Sequence, residues 1–267
     1  MKRGSRRKAK FLLFDVALIA VILVFLYSQL GGSDPRLAGG ILRDPDFDAG
    51  FPDFWVVSVW NQSRIEYSSG YEGGRVSFSL KSEDLGRWSG LGAFQGSKPY
   101  GWQASPKGFS PVRVDGGNLT LLWKGRIDGW AAFHGPVSQV NLGVDLWFEA
   151  ETVEGRKIAE IYVYFYQVGS LTLPLKTPVT VVQRSTLEPR VDQAWVYMMV
   201  HWEQLTRGAD SSFSLSLDGL VDDLRATSPD HSFRGAPMTL TGVDAVMEVI
   251  GGEASFTLDY CGIGEAS

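Results

Sequence analysis

The feature that most constrains this chain is a succession of short segments alternating apolar and polar side chains, punctuated by glycine-rich turns. From about Asp46 onward, FWVVSVW, RVSFSL, NLTLLWKG, NLGVDLWFEA, AEIYVYFYQV, TPVTVV, AWVYMMVHW, SFSLSL and ASFTLDYCGI succeed one another. The turn segments GYEGG, VDGG, VEGR and IGGE lie between them. A repeat of two is the signature of a strand with one side buried. Many such strands joined by short turns predict an all-β chain, a two-sheet antiparallel sandwich of the jelly-roll type. One short helix is expected in DGLVDDLRA, where Leu220, Val221 and Leu224 share a face.

Sorting the strands by parity gives two kinds of face. In KIAEIYVYFYQVGS, Ala159, Ile161, Val163 and Phe165 fall on one side; Glu160, Tyr162, Tyr164 and Tyr166 fall on the other. In NLGVDLWFEA, Leu142, Val144, Leu146 and Phe148 oppose Asp145 and Trp147. In AWVYMMVHW, Val196, Met198 and Val200 oppose Trp195, Tyr197, Met199 and His201. In VVSVWN, Val57 and Val59 oppose Ser58 and Trp60. A sandwich needs only one buried face per sheet. The aromatic and polar face therefore reads as a concave substrate cleft, because aromatic rings can stack on sugars. Packing alone would also account for many of these rings. Near the C-terminus, Glu248 comes after Asp244 and Val246 on one face of another strand.

Composition narrows the classes. The chain has 267 residues, 44% of them hydrophobic, which suffices for one large domain, placed here at 49–267. A net charge of −5 gives no nucleic-acid footprint. The single Cys261 excludes an internal disulfide and a cysteine-based zinc site. His134, His201 and His231 lack metal-ligand spacing, so neither a metal nor a cofactor is expected. Residues 1–10 form a basic flank, residues 11–30 an apolar run interrupted by Asp15, and 31–48 a linker. The run is long enough to span a bilayer as an anchor with its N-terminus in the cytoplasm; a cleaved signal peptide is the competing reading. Either reading makes the domain extracytoplasmic, membrane-anchored or secreted.

Five segments, in order, resemble glycoside hydrolase family 12, the jelly-roll endo-β-1,4-glucanases (cellulases). VSVWNQSRIEYSSGYEGGRVSFSL is similar to the family's first strands, and GAFQGSKPYGW to its aromatic Lys-Pro segment. VNLGVDLWFEAETVEGRKIAEIYVYFY resembles a D-x-W strand followed by the E-[IV]-M-[IV]-W nucleophile strand. WVYMMVHWEQL with SFSLSLDGLVDDL, and then LTGVDAVMEVIGGEASFTL, are similar to the last strands, the helix and the acid/base segment.

The resemblance implies a retaining endo-acting hydrolase of β-1,4-glucosidic bonds in cellulose-like or mixed-linkage glucans. Glu160 matches the nucleophile, Glu248 the acid/base, and Asp145 the carboxylate paired with the nucleophile. Ser58, Trp60, Tyr100, Trp102, Trp147, Tyr162, Tyr164, Trp195 and Tyr197 are the expected substrate-binding residues. Tyr162 and Tyr164 replace the family's Met and Trp, Ser58 its Asn, and Val246-Met247 its Gly-Thr. A retaining pair should lie about 5–6 Å apart, with Asp145 in hydrogen-bond reach of Glu160. The expected partners are a β-glucan and, through residues 11–30, a membrane; a monomer is expected. The alternative from another class is a non-catalytic carbohydrate-binding surface module on the same fold.

Overall fold

A computed structural model describes residues 41–42, 56–60, 65–72, 75–86, 88–97, 103–104, 111–116, 118–184 and 194–265. Its strands are β1 (Ile41–Leu42), β2 (Val56–Trp60), β3 (Ile65–Glu72), β4 (Arg75–Ser82), β5 (Ser89–Ser97), β6 (Gln103–Ala104), β7 (Val112–Arg113) and β8 (Leu119–Ala132). They continue as β9 (Gln139–Thr152), β10 (Gly155–Val168), β11 (Val179–Arg184), β12 (Ala194–His201), β13 (Ser211–Ser216), β14 (Met238–Ile250) and β15 (Gly252–Glu265). The helix α1 spans Leu217–Thr227.

The strands form two sheets. The larger runs β1-β2-β5-β14-β9-β10-β12-β11, with β6 and β7 attached to β5 and β14; the smaller runs β13-β8-β15-β4-β3. The expected antiparallel sandwich holds with one correction: β10 and β12 pair in parallel. Ile41 and Leu42, inside the segment read as linker, pair with Ser58 and Val57 of β2. The expected apolar helix at 11–30 lies outside the described residues. Among those described, no helix is long and apolar enough to cross a membrane.

The core between the sheets is aliphatic and Phe-rich. Val140, Leu142, Val144, Leu146 and Phe148 of β9 meet Ala159, Ile161, Val163 and Phe165 of β10, as alternation requires. The smaller sheet contributes Phe78 and Phe256, whose rings stack with centroids 4.7 Å apart. Helix α1 forms where the sequence places it, with Leu217, Leu220, Val221 and Leu224 buried. Ser216 caps it, its side chain accepting from the Gly219 N–H.

Two local devices decide which side chains reach the outer face of the larger sheet. The β9–β10 hairpin closes through a two-residue turn between Thr152 and Gly155, and Gly155 has φ 112°, a value that suits glycine. Later in β10 a bulge shifts the register between Tyr164 and Tyr166. Beyond it, Tyr166 pairs with the core residue Leu142 and joins the core between the sheets, correcting its expected place beside Tyr164. Gln167, opposite Asn141, takes the other face instead.

Candidate active site

The outer face of the larger sheet carries the candidate residues. It can be built row by row, because directly paired residues share a face. Glu160 pairs with Trp147 of β9 and with Tyr197 of β12. In the next row Tyr162 pairs with Asp145, which on its other side pairs with Asp244 of β14. Tyr164 then pairs with Gly143, opposite Val246, and finally Asn141 pairs with Glu248. Ser58 and Trp60 lie in β2, in register with Gly92 and Gly90 of β5. Tyr100 and Trp102 fall outside the described residues.

Gly143 sits at the middle of this patch. A Cβ there would come within 2.1 Å of the Val163 carbonyl oxygen, so only glycine allows the two backbones to approach. The result is a floor without a side chain between Val246 and Tyr164.

Trp147, Tyr162, Tyr164, Trp195, Tyr197 and Val246 form a second hydrophobic cluster on this face. The sequence leaves open whether these rings stack on sugars or pack together, and in the structure they pack. None of the five aromatics exceeds 7% exposure, because they pack on one another. Tyr162 and Tyr164 meet edge to face with centroids 4.2 Å apart, and the Tyr164 and Tyr197 hydroxyls are 3.3 Å apart. Glu160 and Glu248 remain half-buried, more open than the rings beside them.

Polar tips of the cluster are spent on carboxylates. Trp195 Nε1 donates to Glu160 Oε2 at 2.8 Å, and Trp147 Nε1 donates to Asp145 Oδ2 at 2.7 Å. Burial pushes the phenols of Tyr162, Tyr164 and Tyr197 well above their ordinary range. The charge of Glu248 acts in the same direction on all three, and that of Glu160 on Tyr164 and Tyr197. The Tyr164–Tyr197 hydroxyl pair thus lies within electrostatic reach of both glutamates.

The register places the carboxylates row by row. The tight Thr152–Gly155 turn fixes the register, so Trp147 and not Asp145 stands opposite Glu160. Asp145 is its diagonal neighbour, about 7–8 Å away backbone to backbone. Glu160 and Glu248 flank β9 on opposite sides, at Trp147 and Asn141. Those positions are six residues apart, about 20 Å along a strand. The register thus sets a backbone separation and not a carboxyl–carboxyl distance, and the phenols of Tyr164 and Tyr197 feel both charges. The same register sets Asp145 against Asp244, both buried, at 5% and 0% exposure.

Sequence reasoning put Asp244 on one face with Glu248 but gave it no role, and it missed Asn141 and Gln167 as members of this face. Asn141 could have been found from its shared parity with Asp145 and Trp147. Gln167 could not, because the bulge resets the alternation.

Comparison with solved structures places this fold. A family 12 xyloglucanase from Bacillus licheniformis superposes with a TM-score of 0.53 at 12% identity, over 86% of this chain and 99% of that one. A metagenome-derived family 12 endoglucanase gives 0.50 at 16% identity, over 83% and 93%. A family 11 xylanase from Neocallimastix patriciarum gives 0.50 at 10% identity, over 80% and 93%. No family model matches the chain, and no curated protein sequence matches it. The fold is the jelly roll of glycoside hydrolase families 11 and 12, in agreement with the resemblance read from the sequence.

Proposed function

We propose that the protein is a glycoside hydrolase of the jelly-roll type, acting on β-1,4-linked glucan at the outer face of its larger sheet. The observation that carries this reading is the pair of half-buried glutamates on that face, in a fold shared with family 11 and family 12 enzymes. In the assignment drawn from the resemblance, Glu160 attacks the anomeric carbon and Glu248 protonates the leaving oxygen. Trp195 orients Glu160 through its 2.8 Å hydrogen bond. Two further, buried carboxylates on this face, Asp145 and Asp244, stand in register with each other, and Asp145 holds Trp147. Extracytoplasmic placement through residues 11–30 belongs to the same reading, since polymeric glucan is met outside the cell.

One observation favours a second reading, a glycan-binding module without hydrolysis. A retaining pair needs carboxyl groups about 5–5.5 Å apart, whereas the positions of Glu160 and Glu248 lie about 20 Å apart along the β9 backbone, a span the two side chains must close. Reducing-sugar release from a panel of soluble β-glucans decides between them. Release by the wild-type chain, lost in Glu160→Gln and Glu248→Gln, supports the hydrolase. Glucan binding without release, unchanged in both variants, establishes the module.

A further inference from the structure

We propose that Asn141 and Gln167 are positioning residues for Glu248, the last links of a one-way hydrogen-bond chain that favours its carboxylate anion. The chain begins at the backbone N–H of Leu173, which donates to Gln167 Oε1 at 3.0 Å. A backbone N–H can only donate, so this contact orients the Gln167 amide. Its Nε2 then donates to Asn141 Oδ1 at 3.1 Å, and Asn141 Nδ2 donates to Glu248 Oε2 at 3.5 Å. Gln167 and Asn141 are 5% and 7% exposed, so neither amide is turned by bulk water. The far end of the chain is anchored as well. His201 Nδ1 lies 2.9 Å from the Leu173 carbonyl oxygen, which can only accept, so that nitrogen carries the proton.

The β10 bulge makes this possible by turning Gln167 onto the outer face. Without it, Asn141 would have no amide to orient it from β10. The chain matters because of its surroundings. The titratable groups sharing the face with Glu248 are Asp244 on its own strand, Asp145 on β9, Glu160, Tyr162 and Tyr164 on β10, and Tyr197 and His201 on β12. Neighbouring acids favour the protonated carboxyl, whereas an N–H donor favours the anion. The amide chain opposes the acids and so sets how readily Glu248 releases its proton. The catalytic meaning rests on the hydrolase reading; the hydrogen-bond chain does not.

The test is a carbon-13 NMR titration of glutamate carboxyls in the full chain, with the Glu248 signal assigned by its loss in Glu248→Gln. Asn141→Ala should move the Glu248 midpoint upward by about half a pH unit or more, since a donor to the anion is lost. Gln167→Ala should move it the same way by less, because Asn141 stays but is no longer oriented. An unchanged or lowered midpoint in Asn141→Ala overturns the proposal. So does an unchanged midpoint in Gln167→Ala, which also decides the matter if Asn141→Ala fails to fold. If wild type hydrolyses no glucan while both midpoints rise, the hydrolase reading falls and the positioning chain stands. If it does hydrolyse glucan, the limb of its pH–rate profile assigned to Glu248 should move with the NMR midpoint.

Discussion

The molecule holds two aromatic clusters on opposite sides of one sheet, and they are built from different residues. Between the sheets, the rings are mostly phenylalanines, among them Phe78, Phe148, Phe165 and Phe256, joined by Trp123 and Tyr166 and set among Leu, Val and Ile. On the outer face they are Trp147, Tyr162, Tyr164, Trp195 and Tyr197. Both sets are buried to a similar degree. The phenylalanines of the first have no polar atoms to satisfy, and its Trp123 Nε1 finds no hydrogen-bond partner among the described residues. The second carries an N–H or O–H on every ring, and two of those N–H groups hold the carboxylates of Glu160 and Asp145. Burial with polar handles costs more than burial without them. A sheet whose outer face needed only covering would be served by phenylalanine, so the Trp and Tyr cluster marks the side where carboxylates are positioned.

Four measurements break or sharpen that contrast. The largest effect belongs to the outer side: Glu160→Gln should cut glucan hydrolysis by about a thousandfold or more while the fold is kept, read as initial rates beside circular dichroism. A fall in stability without loss of turnover would assign Glu160 to structure. On the inner side, Phe256→Ala should leave a cavity beside Phe78 and cost about 3–5 kcal/mol in urea unfolding. A much smaller loss would mean that the core collapses around the gap.

Alkaline titration weighs mostly on the outer cluster, which holds three buried phenols where the inner one holds Tyr166. The phenols of Tyr162, Tyr164 and Tyr197 are raised in the folded protein by burial first, while unfolded tyrosines titrate near pH 10. Their contribution is intact below the unfolded value and is lost as pH rises above it. Stability should therefore fall above about pH 10, with tyrosinate absorbance appearing together with unfolding. Absorbance rising ahead of unfolding by three phenols would contradict their burial. The smallest effect is Tyr164→Phe, which removes the hydroxyl shared with Tyr197 and should cost about 1 kcal/mol. A stabilising result would show that this hydroxyl is held for function at the expense of packing.

Much of this arrangement is legible in the sequence. Alternation assigns the faces of β9 and β12 and of β10 as far as Tyr164, because nothing interrupts the two-residue repeat there. It fails at Tyr166 and Gln167, where one extra residue exchanges the two sides and no side chain announces it. Pairing between strands is less legible than facing within them. Asp145 resembles the partner of a nucleophile, yet the two-residue turn slides it one row from Glu160. The burial of the outer rings is not legible either, since a stacking platform and a packed cluster draw on the same residues. Tyr100 and Trp102 lie outside the described residues, and residues 11–30, read as a membrane segment, lie there too.

The parallel pairing of β10 with β12 has a consequence in time. Hairpin β9–β10 brings Trp147 to Glu160 across a turn of two residues, so that contact can form early and locally. Parallel neighbours cannot be joined by a tight turn, and here Ala159 meets Val196 only after the intervening chain has crossed back. Closing that longer loop costs entropy before any contact repays it. Trp195 and Tyr197 should accordingly arrive late in folding, with low φ-values beside those of Trp147 and Phe148. Until they do, Glu160 lacks its tryptophan donor, and a chain stalled at that stage would display an assembled sheet without an assembled site.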